Sequence, residues 1–542
     1  MCWNCVGHSD KCIDPASSLD YIKSVGGCPF ASDTCEPCQA LPDLEKEIKQ
    51  TTDYLKNLLS RHRALRTQVN HRHSAIIRKF PVEILCRIFQ ECQPVLDDLF
   101  DLKAEIQYRY RGFISKIDFP LKLGAVCRTW RQIAWSTQNL WTRICVKLSG
   151  INIDEPYLLN QCSVLEGYIH RSGRLPLEVY IWGKPLPILE KVRGYGMVCL
   201  QVVARCADRW RDLDLDLERE WLRYLFSQAT QVTRSFELRK FVCTRASDGI
   251  GVPDTGALLE TWPHFTIKPQ QFILAAHWPG REDHLDWSGL THLQVTNWSW
   301  NAWLDVFRKA PYLIFCKLDA YAEPFSGNTV TPSSENHMQL KHLQQLSVSA
   351  FDGRPSRILD LLTAPRLQGF HYESSEDACT LLTSFMGRSQ CSLTRLDLRT
   401  KSFATTESLI SFLDLTPSLE DLTLNLPLYD YADTIKSLFQ RCSKSNTFLP
   451  NLESLTCNGG HYFPWDVVPH VFGPPSDFKN PGKRPMKSLT VTERERKDLG
   501  PIRIAQDVVA RLIELRNAGA AITYNSRAEN FEITTMRWED YL

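Results

Sequence analysis

The chain has 542 residues, 43% hydrophobic and 23% charged, the proportions of a globular protein with material for several domains. Lysine plus arginine number 63 against 62 for aspartate plus glutamate, which argues against a partner held by bulk charge, such as nucleic acid or an anionic membrane. The N-terminus has no apolar signal core, being broken by His8, Asp10, Lys11 and Asp14, and no apolar run is long enough to predict a membrane-spanning helix. The expected compartment is cytoplasmic and/or nuclear, where the 19 cysteines would be thiols or metal ligands.

Residues 1–40 concentrate cysteine: Cys2, Cys5, Cys12, Cys28, Cys35 and Cys38. The pairs Cys2/Cys5 and Cys35/Cys38 have the spacing that lets two thiolates on a tight turn reach one tetrahedral zinc ion. A four-cysteine zinc site is one expectation for this segment, and a loose reduced tail is the other. From 41 to 78, Leu44, Ile48, Thr51, Leu55, Leu58, His62, Leu65, Val69, Arg72 and Ile76 recur in steps of four and three. That is the seam of a long amphipathic or coiled-coil helix. Polar Thr51, His62 and Arg72 on the seam favour packing on the same chain over a homodimer.

In residues 79–150, Pro81 suits a helix start, and Ile84, Leu85, Ile88, Phe89 and Cys92 share one face before Pro94. Leu123, Val126, Cys127, Trp130, Ile133 and Ala134 form a second apolar face. So small a helix pair buries little core by itself and is stable only against its own flanks or in a partner's groove. The runs Phe-Pro-Val-Glu-Ile-Leu-Cys-Arg-Ile-Phe from 80, Val-Cys-Arg-Thr-Trp-Arg-Gln-Ile-Ala from 126 and Asn-Leu-Trp from 139 resemble an F-box. In particular they resemble the F-box-like proteins abundant in mushroom-forming (basidiomycete) fungi, which often carry a preceding coiled-coil helix. The resemblance covers residues 79–141. It implies binding to the Skp linker protein through Pro81, Ile84, Leu85, Ile88, Phe89, Val126, Cys127 and Trp130, and membership of a cullin-based ubiquitin ligase as its substrate-recognition subunit. The chain departs from the family at Phe80, where leucine is usual, and in an insertion at 93–120 between the helices.

Residues 151–542 read as a repeated β/α array. The pattern L-x-x-L-x-L recurs loosely as Leu290-Leu293-Val295, Leu313-Cys316-Leu318, Leu343-Leu346-Val348 and Leu367-Phe370-Tyr372, then as Leu393-Leu396-Leu398, Leu419-Leu422-Leu424, Leu452-Leu455-Cys457 and Met486-Leu489-Val491. The spacing matches irregular leucine-rich repeats, whose units bury their apolar faces only by stacking. Pro311, Pro365 and Pro417 end the intervening helices. A helix at 504–516, Gly519 and a strand at 521–524 would close the array, and excursions at 249–280 and 461–487 would interrupt it. Thr291, His292, Gln294, Thr296, Gln344, Gln345, Ser347, Ser349, Arg395, Asp397, Arg399, Glu420, Asp421 and Thr423 fall at outward positions, a polar surface suited to a protein ligand. Trp287, Trp298, Trp300 and Trp303 offer an aromatic anchor there, although core packing is the expectation for at least two of them.

No P-loop, nucleophile elbow, H-E-x-x-H or dinucleotide fingerprint is present. The expected fold is an α/β solenoid of irregular leucine-rich repeats, preceded by an all-α F-box-like domain and a long N-terminal helix. The expected function is that of a non-catalytic ligase adaptor. The alternative is a scaffold outside the ligase that self-associates through 41–78.

Overall fold

The computed structural model describes residues 36–73, 80–94, 118–148, 155–183, 190–243, 264–274, 282–296, 298, 300–320, 337–350, 358–374, 379–400, 405–425, 431–459, 463–474, 486–494, 504–527 and 533–535. The chain divides into two units, Met1–Cys92 and Gln93–Leu542, so the boundary falls inside the 79–150 stretch. Among the described residues no helix is long and apolar enough to cross a membrane.

The first unit holds helices α1 (Glu36–His73) and α2 (Val82–Glu91). Helix α1 starts before the expected 41 and runs through Pro42. Its seam is open: Leu44, Leu55, Leu58, Leu65 and Val69 keep 39–59% of their surface exposed. The expectation that this helix packs on its own chain is therefore not met along the seam. Pro81 caps α2, its carbonyl accepting from the N–H groups of Ile84 (3.1 Å) and Leu85 (3.2 Å).

The second unit opens with α3 (Phe119–Val126), α4 (Arg128–Ser136) and a 3-10 turn, Gln138–Trp141. It continues with β1 (Arg143–Lys147), α5 (Glu155–Arg171), β2 (Leu177–Trp182), α6 (Glu190–Ala204), β3 (Trp210–Asp216), α7 (Arg219–Ala229), β4 (Ser235–Cys243), β5 (Thr266–Leu274) and β6 (His292–Thr296). Then come α8 (Trp300–Lys309), β7 (Phe315–Ala320), β8 (Met338–Gln339), β9 (Gln345–Ala350), α9 (Ile358–Leu361), β10 (Leu362–Thr363), β11 (Gly369–Ser374) and α10 (Cys379–Ser389). The last elements are β12 (Arg395–Thr400), α11 (Thr406–Leu413), β13 (Asp421–Asn425), α12 (Tyr431–Lys444), β14 (Ser454–Asn458), α13 (Val468–Phe472), β15 (Ser488–Arg494), α14 (Gln506–Asn517), β16 (Ala521–Arg527) and β17 (Ile533–Thr535). Strands β8 and β10 pair with each other; the other fifteen form one sheet in chain order, parallel throughout except for the last pairing, β16 with β17.

Parallel pairing in register lines up the repeated apolar residues. Leu293, Cys316, Leu346, Phe370, Leu396, Leu422, Leu455, Leu489 and Ile522 stand side by side across β6 to β16. All are buried, as are all eight triplets read from the sequence. Helices cover this face, with Trp303, Val306 and Phe307 from α8, Leu382, Phe385 and Met386 from α10, and Leu409, Phe412 and Leu413 from α11 joining the same core. Burying each such side chain stabilises by roughly 1.5–3 kcal/mol. Before β7, β11, β13 and β14 a turn recurs in which a leucine N–H returns to the carbonyl three residues back: Leu313 to Ala310, Leu367 to Ala364, Leu419 to Thr416 and Leu452 to Leu449. Proline fills the second position in each of these turns, where its fixed φ fits.

Strand β5 lies inside the expected excursion 249–280, and α13 lies inside 461–487. β5 contains Pro269, which argues against a strand. Its buried positions, Ile267 then Phe272 and Leu274, also slip out of strict alternation, as do Phe236, Leu238, Phe241 and Cys243 in its partner β4. The far end closes as expected: Gly519 takes φ +109°, its N–H reaches Arg516 O and the Ala520 N–H reaches Leu515 O, which ends α14. At the opposite edge, Gln161 of α5 uses its side-chain amide to accept from the Lys147 N–H and donate to the Lys147 carbonyl, both at 3.2 Å.

Helix α6 carries two glycines with opposite surroundings. A Cβ on buried Gly196 would overlap the Trp221 indole of α7, whereas one on exposed Gly194 would meet nothing within 4 Å. Gly196→Ala is expected to destabilise the protein by about 1–3 kcal/mol, and Gly194→Ala to stabilise it by up to about 1 kcal/mol. Thermal denaturation of the two variants checks the contrast.

Candidate functional site

The apolar face of α2 is divided. Leu85 and Phe89 are each 2% exposed and belong to the chain's own packing, whereas Ile84 (45%) and Ile88 (38%), one turn apart, face outward together with Phe80, Pro81 and Val82. Of the five α2 positions that the F-box resemblance marks, three are therefore accessible and two are not. The contrast follows from helix geometry, since residues 84 and 88 lie about 100° round the axis from 85 and 89. An apolar edge of this kind fits a groove on another protein.

The remaining marked positions lie where α3 meets α4. Val126 is 59% exposed. Cys127 is half-buried and extended (φ −159°, ψ 171°), and its Sγ accepts the Trp130 N–H at 3.4 Å, capping α4. Trp130 is half-buried. Trp141 fixes α4 to the array: its Nε1–H donates to the Ala134 carbonyl (2.7 Å), its ring meets Tyr168 of α5 edge-on at 4.8 Å, and the Arg171 guanidinium lies 4.9 Å over it. Arg143 of β1 donates to the Pro94 carbonyl (2.6 Å) and to Glu178 of β2 (3.0 Å).

The sheet face opposite the helices carries the outward residues read from the sequence. His292, Gln294, Gln345, Ser347, Arg395, Asp397 and Thr423 all alternate with the buried leucines. At its middle, His371 donates from Nδ1 to Asp397 (2.9 Å), with Arg399 at 3.3 Å from the same carboxylate and Glu373 at 3.9 Å from His371. Sequence reading missed His371 and Glu373, because the Leu367 triplet was noted without its outward residues. Burial works to push the Asp397 carboxyl up, but the hydrogen bond from His371 and the charges of His371 and Arg399 outweigh it and hold the group below its usual range. The face is not uniformly open, since Ser347, Ser349, Asp319, Asp212, Asp214 and Asp216 on it are buried. Arg239 holds both Asp212 carboxylate oxygens, donating from Nε and Nη2.

Of the tryptophans expected as anchors, Trp287 and Trp303 are core residues, 2% and 1% exposed. Trp298 is half-buried against Trp287 and Phe272, with ring centres 5.9 Å away in both cases. Trp300 lies in α8. Cys2, Cys5 and Cys35 lie outside the described residues, and Cys38 falls in the N-terminal part of α1. Among the described residues no group of three or more His, Cys, Asp or Glu is placed to hold a metal ion. No protein-family model and no curated protein matches the chain.

Because folded Asp397 titrates below the unfolded side chain, its ion pairs contribute fully above the ordinary aspartate value of about 3.9, and the contribution is lost as pH falls through the depressed one. Asp397→Asn should lower stability near neutral pH by about 1 kcal/mol and make little difference at pH about 2. Denaturation curves for parent and variant at the two pH values test this.

Proposed function

We propose that the chain is a non-catalytic substrate-recognition adaptor of a Skp-cullin-F-box ubiquitin ligase. The carrying observation is the exposed apolar edge of α2, Phe80, Pro81, Val82, Ile84 and Ile88, on a helix whose other edge is already buried. In this reading the edge enters a groove of the Skp linker, and Leu85 and Phe89 hold the helix in place. The array is a solenoid of irregular leucine-rich repeats, and its polar sheet face around His371, Asp397 and Arg399 receives the target protein. The tie at Trp141 supports such a division of labour, because it fastens α4 to α5 at the start of the array. The exposed seam of α1 favours a second reading, a scaffold that self-associates through 41–78 and holds no Skp linker.

Co-expression of the full chain with a Skp linker, followed by affinity capture, separates the two. The linker is expected to co-purify with the parent chain. Ile84→Asp combined with Ile88→Asp should abolish capture while moving the thermal midpoint by no more than a few degrees, since both positions are exposed. Full retention of the linker by that variant, or none with the parent, would sink the adaptor reading.

A further inference from the structure

Helix α1 presents an apolar seam that the described chain leaves open. Its residues alternate as Leu44, Ile48, Thr51, Leu55, Leu58, His62, Leu65 and Val69, a heptad register in which Ile48, Leu55, His62 and Val69 take the first core position and Leu44, Thr51, Leu58 and Leu65 the second. Ile48 is half-buried and the other seven are exposed. From Leu44 to Val69 the seam runs roughly 39 Å, enough for a stable two-helix contact.

We propose that a second copy of this chain covers the seam, with the two α1 helices antiparallel. Charge is the first argument. Before Tyr54, α1 carries Glu36, Asp43, Glu45, Glu47 and Asp53 against Lys46 and Lys49; after it come Lys56, Arg61, Arg63, Arg66 and Arg72 with no carboxylate. Antiparallel pairing lays the acidic half of each helix on the basic half of the other, whereas parallel pairing sets like on like.

Register is the second argument. In antiparallel coiled coils a first core position faces a second one. Centring the pair on Leu55 and Leu58 places Leu44 on Val69 of the second copy, Ile48 on Leu65, Thr51 on His62 and Leu55 on Leu58. Between Leu44 and Val69 the two polar seam residues then meet each other, and the other layers are apolar on both sides; beyond them Arg72 meets Leu41 at the ends of the pair. In a parallel pair each would meet its own copy, with His62 on His62 and Arg61 flanking Arg66 of the second helix. The polar residues that speak against a parallel coiled coil thus select the antiparallel one, much as a buried polar residue specifies register elsewhere. Flanking the antiparallel seam, exposed Glu45 faces Arg66 of the second copy, twice by symmetry.

The pairing uses α1, while linker capture uses α2, so either assignment can fail alone. Light scattering and sedimentation of the full chain should give twice the 62.3 kDa monomer mass. A monomer throughout the micromolar range overturns the proposal. Leu55→Glu combined with Leu58→Glu should yield a monomer whose array still unfolds at the parent temperature; a persisting dimer overturns the seam assignment. Arg66→Glu alone sets carboxylate on carboxylate and should weaken the dimer on the order of tenfold, and Glu45→Arg combined with Arg66→Glu should restore it. Tightening by Arg66→Glu is the mark of parallel pairing, through Arg61 of the second copy, and would overturn the antiparallel arrangement, as would failure of the double reversal to restore it.

Discussion

No strand of the sheet can bury its own inward side chains. Leu396 and Leu398 are covered only because Phe370 and Tyr372 stand on one side, Leu422 and Leu424 on the other, and the helices behind. Stability therefore passes from unit to unit, as in a one-dimensional lattice, and depends on every strand keeping the same register. The carbonyls that precede the strands enforce that register. Those of Ile314, Gln344, Gln368, Thr394, Glu420 and Glu453 each accept two successive N–H groups from the next unit. A one-residue slip would break that pattern and turn the leucines outward.

The same constraint leaves the opposite face free to vary. Its residues are fixed in position by the ladder but not in kind, so His371, Asp397 and Arg399 can form a charged cluster on a surface whose reverse is hydrocarbon. Rigid strands hold such groups more accurately than loops do. The α3–α4 corner benefits in the same way, since Trp141 joins α4 to α5 rather than leaving it on a tether.

Much of this was legible from residues alone, for a definite reason. Eight apolar triplets spaced with turn prolines specify strand, turn and inward face together, and all eight are buried. What escaped was whatever departs from period two. β5 was hidden by Pro269 and by a slip in alternation shared with β4, so that Phe272 rather than Gln271 turns inward. The α2 face was legible as apolar, but its division between buried Leu85 and exposed Ile84 depends on what packs nearby, which helical spacing does not encode. The pattern of α1 told that a seam exists, while its exposure is a property of the fold. Asp212, Asp214 and Asp216 alternate with leucines along β3 and are nonetheless buried.

The side-chain amide of Gln161 carries a consequence for the chain's life in concentrated solution. A parallel ladder is open-ended in principle: the first strand of one molecule offers the same row of donors and acceptors that its own second strand satisfies. On β1 the last groups of that row, the Lys147 N–H and carbonyl, are already bonded to Gln161, which stands in for a neighbouring strand there. At the other end β17 reverses direction and is three residues long, so it presents the wrong polarity and little length for a further parallel strand. Both ends of the sheet are thus blunted as templates for one another, which disfavours extension of the ladder from molecule to molecule.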